Sequence, residues 1–178
     1  MSDLDFYAHV ATRGEVLGVG IGSRPADWEA ALRSSYTDNR SPGLMQRDFG
    51  LVELSFQEAD GAKPDWSCFG IGVEVHRLLH GATVPPPLRD AYGQFSRRAR
   101  FDDLSALILR AGYSIEPDND DTTEDIHRYR VPESGARIFV VADADPYGYG
   151  VDPDDPDERQ VGDVFGISVS PAWWAAKS

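Results

Sequence analysis

The chain has 178 residues, 30 of them acidic against 17 basic, for a net charge of −13 at neutral pH. That length corresponds to about one domain, large enough to bury a core without help from disulfides or metal. The mean hydropathy is −0.40 and no apolar run approaches the roughly 18 residues that span a bilayer, which excludes a helical membrane protein. The single cysteine, Cys68, excludes a disulfide miniprotein. Acids stand in Met1-Ser2-Asp3-Leu4-Asp5-Phe6, where a secretory signal carries basic residues, so the expected compartment is the cytoplasm.

In chain order, Ser2 to Arg13 reads as a helix, with Ser2 as its N-cap, Asp3 and Asp5 favouring the positive end of the dipole, and Gly14 at the C-terminal stop. A second helix is predicted from Arg24 to Ser34, capped by Ser23, with Trp28, Ala31 and Leu32 at helical spacing. Period-two alternation predicts strands at Leu51–Gln57 and Phe69–Arg77, joined by the turn-rich stretch Glu58–Asp65 as an antiparallel hairpin. Pro85-Pro86-Pro87 is expected to stop any regular element and to mark a seam near 81–88 within one domain covering 1–178.

A helix near Leu88–Arg98 precedes another at Asp102–Ala111, capped by Asp102, with Leu104, Leu107, Ile108 and Ala111 as its stripe and Gly112 as its stop. Strands follow at Tyr113–Glu116, Ile126–Val131, Arg137–Ala142 and Val164–Ser170, with Pro132–Gly135 as a hairpin turn. The run Ile138–Ala142 is apolar on both faces, which predicts a central strand covered on each side. The predicted fold class is α+β: a mainly antiparallel sheet with helices packed mostly on one face. Its core is expected to include Trp28, Leu54, Phe56, Ile71, Val73, Leu107, Ile108, Val140 and Ile167. Helices followed by paired strands occur in each half, a pattern compatible with an old duplication.

No catalytic, cofactor or metal signature emerges. Gly18-Val19-Gly20-Ile21-Gly22 lacks the spacing of a dinucleotide fingerprint and reads as a permissive turn or strand. His76 and His80 have the four-residue spacing of a helical zinc pair, but Arg77 stands where the metalloprotease glutamate belongs and Gly70 and Gly72 favour strand. Cys68 reads as packing, without a histidine close enough in its segment to activate it. Asp143-x-Asp145-x-Tyr147-Gly148 with Asp154 only partly copies a calcium loop, because Tyr147 and Asp154 replace the oxygen ligand and terminal glutamate that the cation needs.

The charge is unevenly placed. Residues 116–125 hold six acids and no base, residues 143–163 hold eight acids against Arg159 alone, and the remainder is neutral. Such a field repels nucleic acid and anionic lipid and speeds encounter with a basic partner, though acidic loops also serve simply as solubilising surface. Tyr147 and Tyr149 add aromatic contact groups inside the second segment. The candidate partner-binding residues are therefore Asp143, Asp145, Tyr147, Tyr149, Asp152, Asp154, Asp155 and Asp157.

Four stretches taken together carry a family resemblance: Val16-Leu17-Gly18-Val19-Gly20, Trp28-Glu29-Ala30-Ala31-Leu32, Arg47-Asp48-Phe49-Gly50-Leu51-Val52-Glu53-Leu54-Ser55-Phe56, and Gly72-Val73-Glu74-Val75-His76-Arg77-Leu78. Over roughly residues 14–80, with a looser echo at Gly162–Ser168, the chain resembles the immunity proteins of bacterial, particularly actinobacterial, polymorphic toxin systems. The resemblance implies a protein that binds and neutralises a cognate toxin by covering its active surface, and transfers no binding residue. A nuclease toxin, whose own cleft is positive to hold phosphates, is a partner that the acidic charge fits. The same features fit an acidic regulatory or adaptor protein and, less closely, a small-ligand binder or an enzyme without a recognisable motif.

Overall fold

The computed structural model describes residues 1–59, 65–118 and 124–171. The first helix, α1 (Asp3–Arg13), is held by a reciprocal capping box between Ser2 and Asp5 and ends on Gly14 at φ 68°, a left-handed position that favours glycine. Phe6, Tyr7, Val10 and Ala11 form its buried stripe. A short hairpin, β1 (Glu15–Val16) and β2 (Val19–Gly20), fills the glycine-rich stretch.

The second helix, α2 (Pro25–Leu32), is two residues shorter at its C-terminus than predicted, and Arg24, not Ser23, occupies the cap position. The reason is tertiary: Gly22 and Ser23 are tied to Cys68 by backbone hydrogen bonds of 2.8 and 2.9 Å, and the Asp27 carboxylate accepts from the Arg24 N–H. Trp28 is fully buried, as expected.

Two strands follow that the hydrophobic pattern did not announce, β3 (Thr37–Ser41) and β4 (Leu44–Asp48). Every residue of β3 is exposed, because β3 is an edge strand. The inward position of β4 at Arg47 is a buried guanidinium, 2.6 Å from Glu29 on α2. β5 (Val52–Glu58) and β6 (Trp66–Val73) form the predicted hairpin. Most of its turn, residues 60–64, lies outside the described residues, as do residues 119–123 of the first acidic run.

The β6 strand stops at Val73, not at Arg77. Val75–His80 is a 3₁₀ helix, whose threefold repeat buries Val75 and Leu78 together and so extends an apolar pattern that reads as strand in sequence. The prolines also act differently from the expectation. Pro86 and Pro87 form the first turn of α3 (Pro86–Tyr92), where a missing N–H is harmless, and Gly93 ends that helix well before Arg98. α4 (Phe101–Arg110) starts one residue early, because the Phe101 N–H is anchored on the Gly162 carbonyl; Asp102 sits in its first turn without capping it. Leu104 and Ile108 are its buried residues, while Leu107 is only half-buried and Ala111 is exposed.

The second set of strands is β7 (Glu116–Pro117), β8 (Ile126–Val131), β9 (Ala136–Val141) and β10 (Val164–Val169). β7 therefore begins where the predicted strand 113–116 was to end. All eight strands from β3 to β10 form one antiparallel sheet in the order β3-β4-β5-β6-β10-β9-β8-β7. The α+β class with a mainly antiparallel sheet is thus what the chain adopts. α1 lies on β9 and β10 with α4 against it, and α2 reaches β6. The core cluster draws on both halves of the chain, with Trp28, Phe56 and Ile71 from the first and Leu88, Ile108 and Ile138 from the second.

Two four-stranded meanders thus meet at the β6–β10 pair. Its register places Gly72 opposite Ser168, with Val73 against Ile167 and Ile71 against Val169. The paired segments are Phe69-Gly70-Ile71-Gly72-Val73 and Phe165-Gly166-Ile167-Ser168-Val169. Adding 96 to each β6 number gives the matching β10 residue, and the observed register is the one that a two-fold axis through the Gly72–Ser168 pair requires.

β9 is not covered on both sides. Its inward residues Ala136, Ile138 and Val140 are buried, but Arg137 and Phe139 are half-buried on a face that carries no helix among the described residues. Phe139 extends the apolar run while lining that open face.

Candidate functional site

The expected binding residues fall on the long connection between β9 and β10, and the structure gives most of its acids local work. The Asp143 carboxylate accepts the Asp145 N–H at 2.9 Å. Asp145 accepts three more backbone N–H groups, from Tyr149 and Gly150 at 2.7 Å and from Val151 at 3.2 Å. Desolvation, the largest single influence, pushes its pKa up, but these amides together hold it below the ordinary carboxylate value. Asp152 and Asp155 each close a small turn by accepting from Asp154 and Asp157, and Asp157 also pairs with Arg97.

Tyr147 and Tyr149 stand on this scaffold with 79% and 86% of their surface exposed and their ring centroids 6.0 Å apart. Asp154 is exposed beside them in the chain. The structure therefore brings the two tyrosines together and leaves Asp154 pointing at no described donor, while Asp143, Asp145, Asp152, Asp155 and Asp157 set the shape of the loop. Asp163, at the end of the acidic run, is something else: it is 3% exposed, with Arg98 at 3.2 Å and Arg100 at 2.9 Å.

Below the tyrosines the loop and the 3₁₀ helix enclose a cleft of about 290 Å³, reached by His76, His80, Tyr147, Tyr149 and Arg159. His76 stacks flat on Phe165 at 4.0 Å between centroids, and its Nδ1 lies 3.1 Å from the Phe165 carbonyl. Desolvation of this packed imidazole, the largest influence on it, lowers its pKa. No group of three or more His, Cys, Asp or Glu suited to a metal occurs among the described residues. Both oxygens of Asp145, the centre of the partial calcium pattern, already face backbone N–H groups. Cys68 is buried beneath the sheet, with its thiol pushed up to about 11 by desolvation.

A second concavity was not anticipated from the sequence. On the face of the sheet that carries no helix among the described residues lies an open trough of about 480 Å³. Its floor is made by Gly70, Gly72 and Gly166, with Ser55 and Ser168, and its walls by Glu53, Glu74, Arg128, Phe139 and Phe165. Cross-strand pairing explains the arrangement: Glu53 faces Gly72, Ser55 faces Gly70, Gly166 faces Phe139 and Phe139 faces Arg128. A β-bulge between Val164 and Gly166 accommodates Phe165 at the end of the floor.

The charges on the trough walls are unequally satisfied. Glu53 is held by Arg77 at 2.7 Å and by Gln46, and Arg77 also reaches Asp48 at 3.1 Å. Among the described residues Glu74 has only the imidazole of His76, 3.6 Å away, and desolvation raises its pKa against the opposing pull of Arg77. Arg128 rests over the Phe139 ring at 5.5 Å and has no carboxylate within ion-pairing distance among the described residues. The sequence signal was the pair of glycines on the polar side of β6, which reads as strand alternation unless the partners across the sheet are known.

No protein-family model matches this chain, and neither does any curated protein or solved structure.

Proposed function

We propose that the chain is a protein-binding inhibitor of the immunity-protein kind, a cytoplasmic acidic module that masks the active surface of a basic toxin domain. The observation that carries this reading is the Tyr147–Tyr149 pair, almost wholly exposed on a loop that its own aspartates hold in shape. Two neighbouring tyrosines held out in water are residues of the type that protein interfaces enrich. On a pre-organised loop they offer contact area at small entropic cost. The surrounding acids supply steering toward a positive surface, as the cleft of a nuclease would be. Among the described residues no helix is long and apolar enough to cross a membrane.

The test expresses the reading frames that flank this chain's gene, each alone and each together with it, in a bacterial host. A neighbour that arrests growth alone and is tolerated beside the chain supports the reading. Stopped-flow binding to that neighbour then compares the wild type with a variant carrying Asn at Asp152, Asp154, Asp155 and Asp157, and with Tyr147→Ala and Tyr149→Ala. Association of the Asn variant should slow by roughly tenfold or more at low salt, while the tyrosine variants dissociate faster. Binding without rescue of growth points instead to the adaptor alternative.

A further inference from the structure

The trough on the open face of the sheet has a floor of glycines. A Cβ on Gly166 would stand 3.0 Å from the Val73 carbonyl, one on Gly72 would stand 2.8 Å from the Glu74 carboxylate, and one on Gly70 would crowd Ser55 at 3.3 Å. Glycine weakens a strand interior and marks a bulge or a close approach to the backbone; register shifts adjoin Gly70 and Gly166, and the floor that results is bare. Above this floor the ends are chemically opposite. Continuing the β6–β10 register by one residue sets Glu74, Gly166, Phe139 and Arg128 in one row across the sheet. Strand spacing puts the backbones of the outer two roughly 14 Å apart. The Glu74 carboxylate lies back along β6 over Gly72, and Arg128 leans over Phe139 toward the floor.

We propose that the trough is a binding site for a small organic cation that also bears an aromatic ring and a carboxylate, of the class of basic amino acids acylated on Nα by an aromatic acid. The cationic group lies against Glu74, the ring sits on the glycine floor between Phe139 and Phe165, and the carboxylate meets Arg128. Each contact answers a group that the fold leaves underused. Glu74 is half-buried and accepts no hydrogen bond among the described residues apart from its loose approach to His76. Arg128 is without a carboxylate partner among the same residues, whereas Glu53 and Arg77 on the neighbouring wall already satisfy each other. A volume of about 480 Å³ suits a ligand of this size. The site is separate from the tyrosine loop and does not depend on the protein-binding reading.

The probe is Nα-benzoyl-L-arginine, titrated into the ¹⁵N-labelled chain and followed by amide chemical shifts. Saturable shifts are expected at Gly70, Gly72, Gly166 and Ser168, with affinity weakened about tenfold or more in Glu74→Gln. Arg128→Gln should weaken the acid but leave its ethyl ester, which lacks the carboxylate, unchanged. Ser168→Leu fills the floor without touching either charge and should abolish binding of both compounds, while the melting temperature reports that each variant is folded. Shifts that fail to saturate by about 10 mM, or equal binding by Glu74→Gln, overturn the site. Equal loss of acid and ester in Arg128→Gln overturns its carboxylate end.

Discussion

On the helix-covered side of β5 and β6, Val52, Leu54, Phe56, Cys68, Ile71 and Val73 are all buried, whereas the alternate positions on the other side are Glu53, Ser55, Gly70 and Gly72. One side is filled for volume and the other emptied of it. Interiors close to crystalline density punish any missing methylene, so the covered side is occupied by branched and aromatic side chains. The open side holds two glycines near the centre of an eight-stranded sheet, where strand propensity argues against them. Apolar packing therefore does not explain the composition of the open face; a Cβ at Gly72 or Gly166 would meet Glu74 or the Val73 carbonyl within 3.0 Å, which keeps that floor bare.

The largest expected effect separates the two sides most directly. Ile108→Asp places a charge on the covered side, against a fully buried position. The penalty of several kcal/mol is comparable with the whole ~5–15 kcal/mol stability of a domain, so the variant should show no cooperative thermal transition. Ser55→Asp on the open side should stay within about 0.5 kcal/mol of the wild type. Equal behaviour of the two variants would remove the distinction between the faces.

The next effect tests a polar exception to the apolar interior. Asp163 is buried with Arg98 and Arg100 and also accepts the Gln160 N–H, so it joins the β9–β10 connection to the start of α4. Asp163→Ala should lose about 2–4 kcal/mol in urea unfolding, less than a wholly buried pair would, because the stranded arginines can turn to water. A smaller effect is expected from Cys68→Ala, about 1 kcal/mol for one lost buried group. The wild-type thiol, raised to about 11, should react with a disulfide reagent at neutral pH only as the chain unfolds. Fast labelling of the folded protein would show that the covered side is open to solvent.

The smallest effect lies on the open side. Burial raises the pKa of Glu74 above its ordinary 4.5, so the folded chain binds this proton more tightly than the unfolded chain does. Its contribution to stability is then fully present below the ordinary value and is lost as pH rises through the raised one. The melting temperature of Glu74→Gln minus that of the wild type should therefore rise as pH is raised from below the ordinary carboxylate value to neutrality, and the variant should be no less stable than the wild type at neutral pH. A difference that falls over the same range would show that Glu74 is paired and not waiting for a cation.

Local chemistry was enough to place α1, since Ser2, Asp5 and Gly14 state its ends within the helix itself. Alternation was enough for β5 and β8, and eight of the nine expected core residues are buried, with Leu107 half-buried. β3 and β4 escaped because an exposed edge strand shows no apolar period and because β4 turns a guanidinium inward. Helices followed by paired strands suggested at most an old duplication; the match between segments 69–73 and 165–169 went unread, and only the β6–β10 pairing, which sets them face to face, brings it out.

The sequence by itself determined the class of fold, most of the core and the tyrosines within an acidic loop, because those follow from short-range periodicity, caps and composition. Tertiary structure alone decided that Asp145 organises its loop, that Asp163 is buried, and that Glu74 and Arg128 share a row across a glycine floor. The physical reason is that a strand pattern records which side chains alternate, while the neighbours across the ladder, and which face the helices cover, are set by pairings between residues up to about a hundred positions apart in the chain.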